Sequence, residues 1–597
     1  MDPRFAIPFV CVLATSASAQ FGVEWVEFEE DPGLLSVSGP ISSVAIEVDF
    51  AWGDLDDDGW IDLVVVRKEP FSALGKRTNL LLRNEAGVLT DRTAAYASAS
   101  DVPGDLGFLT PTADRDAVFT DVDRDGWLDV VTAVDVSPGD PKHIGHPRVY
   151  RNLGSGAGWL GLRHEEARIP QLYVFGSGSA VNPLFVSVTA GDVTGNGYPD
   201  LYFTDHGSDP LYSPPAGTDL NDRLLINDGN GFFADESQLW MTATMLESEF
   251  GAHAIIVDVN QDGVNDIVKN TTQNTPRHIS VSYNDPGDEG DFDLFQIAYE
   301  SSLEPYHFDL GDLNGDGRLD MVVADDTQDR YMYNQGNDAL GRVLWGPKRT
   351  FAFLAGSDDG FGSNPLIVDL DEDGWNDVVM CDISDGTPTG YVRRIHVYHN
   401  PGGAVGAEII LREEREHGGS SAWLGAVGLY HDDLGAGHDV AVFDVDHDGD
   451  KELILGRKDG TFAWRNLLDP TVCQPSIGYQ GPGDATLSIC GDALTPGGSA
   501  TLRIDSDLAG AAVVLAYGPT LNPTSYAGGT IVPLPPLAVL SFTTDAAGDL
   551  TLPISPGAAG HPGGSGPLVL YAQAGVADAA QPGGYQITNA LAVELLP

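Results

Sequence analysis

Seven times along the chain, aspartate opens a nine-residue run with oxygen-bearing side chains at positions one, three, five and nine and glycine at position six. The runs are DLDDDGWID (Asp54 to Asp62), DVDRDGWLD (Asp121 to Asp129), DVTGNGYPD (Asp192 to Asp200), DVNQDGVND (Asp258 to Asp266), DLNGDGRLD (Asp312 to Asp320), DLDEDGWND (Asp369 to Asp377) and DVDHDGDKE (Asp444 to Glu452). A hard cation such as calcium takes six to eight oxygen ligands at about 2.3–2.6 Å with some freedom of arrangement. Carboxylates at alternate positions of a short loop converge on one point, the glycine permits the sharp turn, and the ninth residue closes the set. The expected ligands are Asp54, Asp56, Asp58, the Trp60 carbonyl and Asp62; Asp121, Asp123, Asp125, Trp127 and Asp129; Asp192, Thr194, Asn196, Tyr198 and Asp200; Asp258, Asn260, Asp262, Val264 and Asp266. They continue with Asp312, Asn314, Asp316, Arg318 and Asp320; Asp369, Asp371, Asp373, Trp375 and Asp377; and Asp444, Asp446, Asp448, Asp450 and Glu452. Up to seven calcium ions are expected, in closed oxygen cages whose role is structural. An EF-hand differs, because its closing glutamate stands at position twelve between helices. At positions one, three, five and nine the first, second, sixth and seventh runs offer four side-chain carboxylates, the fourth and fifth three, and the third two, which predicts that the Asp192 loop holds its ion least tightly.

Each run is preceded by an apolar stretch (VAIEV, DAVFT, LFVSV, AIIV, HFDL, LIV, VAVF) and followed by another (LVVV, VVTAV, LYF, IVK, MVVA, VVM, LIL), so it is the turn of a β-hairpin. A third strand ending in asparagine follows in every unit: Asn84, Asn152, Asn227, Asn284, Asn334, Asn400 and Asn466. Several units continue into a fourth strand, as in GVLTDRT and GFFADES. Successive first aspartates lie 67, 71, 66, 54, 57 and 75 residues apart, a common frame with insertions of varying length. Seven four-stranded antiparallel units predict an all-β fold, a seven-bladed β-propeller with calcium-binding hairpin loops. The seventh unit stops after its third strand, while residues 22–30 (GVEWVEFEE) stand alone before the first; this orphan strand is expected to complete blade seven and close the ring.

The motif and its order resemble the FG-GAP/VCBS repeats of integrin α heads and of many exported bacterial proteins, over about residues 21–468. Phe250-Gly251 and Phe361-Gly362 each stand eight residues before the first aspartate of a run, matching the element that gives the repeat its name. The resemblance implies a secreted calcium-binding propeller.

The formal charge of −57, from 88 acidic against 31 basic residues, repels phosphate backbones and anionic lipids, which excludes nucleic acid and membrane surfaces as expected partners. Residues 1–19 read as a signal peptide: Arg4, an apolar run from Phe5 to Ala14, then Ala17-Ser18-Ala19. No later stretch is long and apolar enough to predict a membrane helix. In an exported protein Cys473 and Cys490 can form a disulfide, whereas Cys381 lies within an apolar strand as a small core residue. Residues 473–597 change composition to Gly, Pro, Ala and Thr with short alternating strands (SATLRID, AAVVLAY, VLSFTT, DLTLPI, LVLYAQA, YQITNALAVEL), predicting a small C-terminal Ig-like β-sandwich module. The chain has no HExxH, GxSxG, GxxxxGK[ST] or CxxC motif. His143 and His146, and Glu413, Glu414, Glu416 and His417, lie in insertions, where they read either as an acid/base site for glycans or as solvated loop residues. The expected function is a monomeric extracellular binding or adhesion scaffold for a protein or polysaccharide ligand, presented by insertions such as 205–222, 285–293 and 415–437. A calcium-dependent polysaccharide lyase or hydrolase is the alternative.

Overall fold

The computed structural model describes residues 26–37, 47–69, 75–207, 220–352, 362–383, 395–412, 437–466 and the larger part of 476–595, with one- or two-residue gaps inside these stretches. The signal segment, Phe361, residues 413–436, Cys473 and the side chain of Cys490 lie outside the described residues. Among the described residues the fold is all-β, with helical turns of four residues or fewer, and no helix is long and apolar enough to cross a membrane. Glu24–Leu468 forms one compact unit, and Asp469–Pro597 belongs to another.

In the first unit, each nine-residue run joins the first two strands of a separate antiparallel sheet. The residue before the run always pairs with its ninth residue, as in Gly53 with Asp62 and Thr120 with Asp129, so the loops close in one register. Sheet one contains Glu47–Gly53, Asp62–Lys68, Leu80–Asn84 and Leu89–Asp91; sheet two contains Asp114–Thr120, Asp129–Val134, Arg148–Asn152 and Leu162–His164. Each gains a fifth strand of two residues, paired in parallel. Sheets three and four each have four strands, and sheet five has three plus the short Arg349–Thr350. Sheet six shows three strands among the described residues. In sheet five the third strand breaks after Met332, and Asn334 begins a separate short hairpin. Sheet seven is Asp439–Phe443, Glu452–Arg457 and Gly460–Asn466, and its fourth strand is Phe28–Glu30 from the other end of the chain, with Phe28 opposite Asn466.

The apolar second strands are explained by burial on both faces. In LVVV, Leu63 and Val65 pack with Phe443, Val445 and Ile454 of sheet seven, whereas Val64 and Val66 pack with Ala117, Val130 and Tyr150 of sheet two. Period-two alternation therefore sends successive residues into two different cores. Further cores join sheets two and three, three and four, four and five, five and six, and six and seven. The packing order thus returns from sheet seven to sheet one. Each fully buried Val or Leu contributes about 1.5–3 kcal/mol relative to exposure, and Cys381, fully buried, belongs to the core between sheets six and seven.

The second unit has a five-stranded sheet that includes Ala512–Gly518, Leu568–Ala577 and Tyr585–Leu595, and a three-stranded sheet of Thr486–Gly491, Ala500–Asp505 and Leu550–Ile554. Leu487, Leu502 and Ile504 of the smaller sheet share one core with Val513, Leu570, Val576 and Leu591 of the larger.

Candidate metal centres

The seven loops have one backbone geometry. At position six Gly59, Gly126, Gly197, Gly263, Gly317, Gly374 and Gly449 all take φ between +79° and +104°, the left-handed side that glycine occupies without steric cost. Position four is left-handed as well: Asp57, Arg124, Gln261, Glu372 and His447 have φ of 54–60°, while the third and fifth loops place Gly195 and Gly315 there. This demand at position four was missed in the sequence, because five of the seven residues are not glycine.

Side chains hold this backbone in repeated roles. The first aspartate always accepts the N–H of the position-six glycine, at 2.6–3.2 Å. The fifth residue always accepts the N–H of position seven, at 2.7–3.3 Å. The ninth carboxylates, Asp62, Asp129, Asp200, Asp266, Asp320, Asp377 and Glu452, are all 0% exposed. One oxygen accepts the N–H of position two, from Leu55, Val122, Val193, Val259, Leu313, Leu370 or Val445. In the first six loops the other accepts the backbone N–H of the asparagine that ends the third strand. Burial raises these carboxyls, Asp62, Asp129, Asp320 and Glu452 to about 7, Asp200 to about 6 and Asp266 to about 8, against the pull of those backbone donors.

Several carboxylate oxygens remain buried with no hydrogen-bond partner: Asp56 Oδ1, Asp123 Oδ1, Asp369 Oδ1, Asp371 Oδ2, Asp446 Oδ1, Asp450 Oδ1 and Glu452 Oε1. Ligand-capable atoms of Asp54, Asp56 and Asp58, of Asp121, Asp123 and Asp129, of Asp369, Asp371 and Asp377, and of Asp444, Asp446 and Glu452 lie within 4.8 Å of one another. Buried, converging, unpartnered anionic oxygens are costly without counter-charge, and a hard cation satisfies that need. The donor set is oxygen apart from the sixth loop, where His399 stands with Asp371 and Asp373 in such a cluster, and oxygen donors suit calcium over softer metals. The third loop is the sparsest, with Thr194 Oγ1 3.4 Å from both Asp192 and Asp200 oxygens. In the fourth and fifth loops Asn260 and Asn314 accept the N–H of Asp262 and Asp316, while the Arg318 guanidinium bonds Asp316. The position-seven residues Trp60, Trp127, Tyr198, Val264 and Trp375 are partly exposed beside their loops.

A second set of residues had no place in the ligand count. The residue before the final asparagine of the third strand is Arg83, Arg151, His399 and Arg465 in sheets one, two, six and seven, and Ile226, Tyr283 and Tyr333 in sheets three to five. Arg151 Nε lies 2.8 Å from Asp123 and Nη2 2.7 Å from Asp125. Arg83 bonds Asp56 and Asp58, Arg465 bonds Asp446, and His399 lies 3.6 Å from Asp371. The basic side chain stands wherever position three is aspartate and is missing wherever position three is Thr194, Asn260 or Asn314. In the first, second and seventh loops the fourth carboxylate therefore comes with its own arginine cation, and net charge varies less between these loops and the others than the carboxylate count.

His146 is buried, accepts from Gln171 Nε2 at 3.0 Å, and is pushed down to about 4 by burial and by Lys142. It is a neutral hydrogen-bond acceptor inside the fold, not a solvated loop residue. Phe250 is buried at φ 52°, and Gly251 has Thr204 Cβ 2.8 Å from where its own Cβ would stand, so the Phe-Gly pair here is a packing element.

A family profile for the FG-GAP-like repeat matches residues 121–203 and 312–380, each span running from one acidic loop through the next. These two stretches carry FG-GAP-like repeats. No curated protein matches it. Solved structures similar to it include the extracellular domain of a hybrid two-component system from B. thetaiotaomicron, at 8% identity and TM-score 0.36, covering 95% of this chain and 59% of that one. The Tc holotoxin pore of Photorhabdus luminescens aligns at 13% identity and TM-score 0.31 over 90% of this chain and 22% of that one. The exo-β-1,3-galactanase of Phanerochaete chrysosporium aligns at 8% identity and TM-score 0.26 over 84% of this chain and 98% of that one. The chain thus spans less than two thirds of the length of each of the first two structures.

Proposed function

We propose that the FG-GAP repeats form a seven-bladed, calcium-stapled β-propeller over residues 20–468, exported after removal of residues 1–19 and followed by an Ig-like module over 473–597, which acts as a monomeric extracellular binding scaffold. The observation that carries the calcium reading is the set of buried carboxylate oxygens without partners in the first, second, sixth and seventh loops, whose backbone geometry the other three share. The cyclic order of shared cores, returning from sheet seven to sheet one, supports the closed ring. When bound, calcium supplies the positive charge that these loops lack. Its ligands are the residues at positions one, three, five, seven and nine, and its role is to hold hairpin ends.

The scaffold reading rests on where sequence varies: regular strands and loops repeat, whereas the insertions between units differ, and a rigid ring that presents variable loops suits adhesion or polysaccharide binding. The cavity bordered by the first strands of several sheets, lined by Asp49, Asp116, His253 and His307 among others, measures about 50 Å³. That is room for a few waters, far below the 300–1,000 Å³ of an ordinary ligand pocket, so this cavity does not supply the active site that a lyase or hydrolase reading needs. Glycan arrays run beside assays for released reducing or unsaturated sugars test the proposal. Saturable binding without product supports it, and catalytic turnover of a polysaccharide overturns it.

A further inference from the structure

Position two of each loop sits between ligand positions one and three and faces the neighbouring sheet, where the third-strand asparagine waits. The Asn152 side chain donates to the Leu55 carbonyl of the first loop at 2.7 Å, while its own backbone N–H donates to Asp129 of the second loop at 2.7 Å. The same pair of bonds recurs around the unit. Asn227 reaches Val122, Asn284 reaches Val193, Asn334 reaches Val259 and Asn400 reaches Leu313, at 2.8 Å except for 3.3 Å at Asn334. Asn84 extends the series by donating to Val445 of the seventh loop at 2.8 Å, which makes six such links among the seven loops. Every one of these asparagines is at most 3% exposed.

We propose that these asparagines are positioning residues that couple each cation site to the one before it, so that calcium fills the loops cooperatively; the inference rests on the calcium reading above. The chain of contacts is explicit for the first two loops. An ion in the second loop fixes Asp129, which orients the Asn152 backbone. The Asn152 side chain then fixes the Leu55 carbonyl, and with it the backbone that carries Asp54 and Asp56. Order established at one site lowers the ordering cost at the next, which is positive coupling without any change of fold.

Direct contacts between consecutive loops run in parallel with this belt. Asn265 donates to the Asp192 carbonyl at 2.9 Å and Asn376 to the Asp312 carbonyl at 2.8 Å. Lys451 lies 3.2 Å from Glu372, and Trp60 stacks on His447 at 3.8 Å with the planes 5° apart. These use positions one, four, seven and eight, which frame the ligands.

The test is a calcium titration of the full chain, followed by equilibrium dialysis, in the wild type and in Asn152→Ala. That substitution leaves the backbone donor to Asp129 in place. The wild-type isotherm is expected to be steeper than independent sites allow, with a Hill coefficient above 1. Asn152→Ala is expected to keep its stoichiometry, lose steepness, and raise the half-saturation concentration about fivefold or more. A residue with only a structural role would lower the melting temperature equally with and without calcium and leave the isotherm's steepness alone, and that result overturns the proposal. Should the variant fail to fold, the wild type decides by itself: calcium bound with a coefficient of 1 or below overturns the coupling while the calcium reading stands. No calcium bound at all overturns the calcium reading, and the coupling with it.

Discussion

Replacing Arg151 by Gln separates the charge of a loop from its carboxylate count. Arg151 makes two charge-assisted hydrogen bonds, to Asp123 at 2.8 Å and Asp125 at 2.7 Å, with 28% of the arginine side chain and 32% of that of Asp125 exposed. Buried bonds to charged groups contribute about 1.5–3 kcal/mol each, but exposure on this scale lowers the pair to about 1–2 kcal/mol in total. Asp123 keeps Arg168 at 3.1 Å, so the loop retains a partner and the fold survives. Without calcium the variant is expected to melt lower by roughly 1–2 °C, given the length of the unit. With calcium the sign reverses at that site: a positive charge about 5 Å from the divalent ion opposes binding by about 7 kcal/mol at an effective dielectric of 20, and solvent exposure and salt screening reduce this to about 1–2 kcal/mol. Removal of the arginine should then tighten the second loop about tenfold. Melts in EDTA and in millimolar calcium, with isothermal titration of both proteins, measure the two effects. An unchanged melt in EDTA, or weaker calcium binding by the variant, would refute the idea that the arginine stands in for cation charge.

Four further outcomes are expected. Phe28 is 3% exposed in the core between sheets six and seven, so Phe28→Ala should cost about 3–5 kcal/mol in chemical denaturation, and deletion of residues 21–32 should expose the edge of Gly460–Asn466 and promote aggregation, measured by light scattering. Burial, with a smaller push from Asp116, raises Asp439 to about 7 against donors from Asn364, Val440 and Phe50. Its folded value exceeds its unfolded one, so its contribution is present at acid pH and lost as pH rises from about 4 to 7. Relative to Asp439→Asn, the wild type should lose on the order of 1 kcal/mol per pH unit across that window in calcium-saturated melts; parallel curves would contradict this. Asp57→Gly relieves a left-handed aspartate at φ 57° and should raise stability by about 0.5–1 kcal/mol in urea unfolding, as position four already does with Gly195 and Gly315. The Asp192 loop, with two carboxylates and Ile226 in place of an arginine before its asparagine, should still release calcium first, and Asp369→Ala with Asp373→Ala should destabilise more than Asp192→Ala with Asp200→Ala when both pairs are melted in calcium.

The acidic period was legible because each loop repeats the same demands on residue type: oxygen at alternate positions, and glycine where φ turns positive. The apolar stretches were legible as strands for the same reason, although period two within LVVV feeds two separate cores and no single sequence window says which neighbour receives Val64. The arginine before the asparagine stands plainly in LLLRN, RVYRN and FAWRN, yet its target two strands away depends on register and twist. The asparagines were legible only as strand ends. Their second role is a contact with a different sheet, 97 residues away for Asn152 and Leu55, and local spacing carries no trace of it. The break after Met332 was read as continuous strand, because YMYN has strand composition on both sides of the interruption.

The most direct test of the account is the calcium content of the purified full chain, measured by atomic emission after dialysis against millimolar calcium and again after EDTA. The account predicts close to one ion for each of the seven acidic loops, lost on chelation together with a lower melting temperature. A chain that carries one ion or none, and melts alike in EDTA and in calcium, would contradict it.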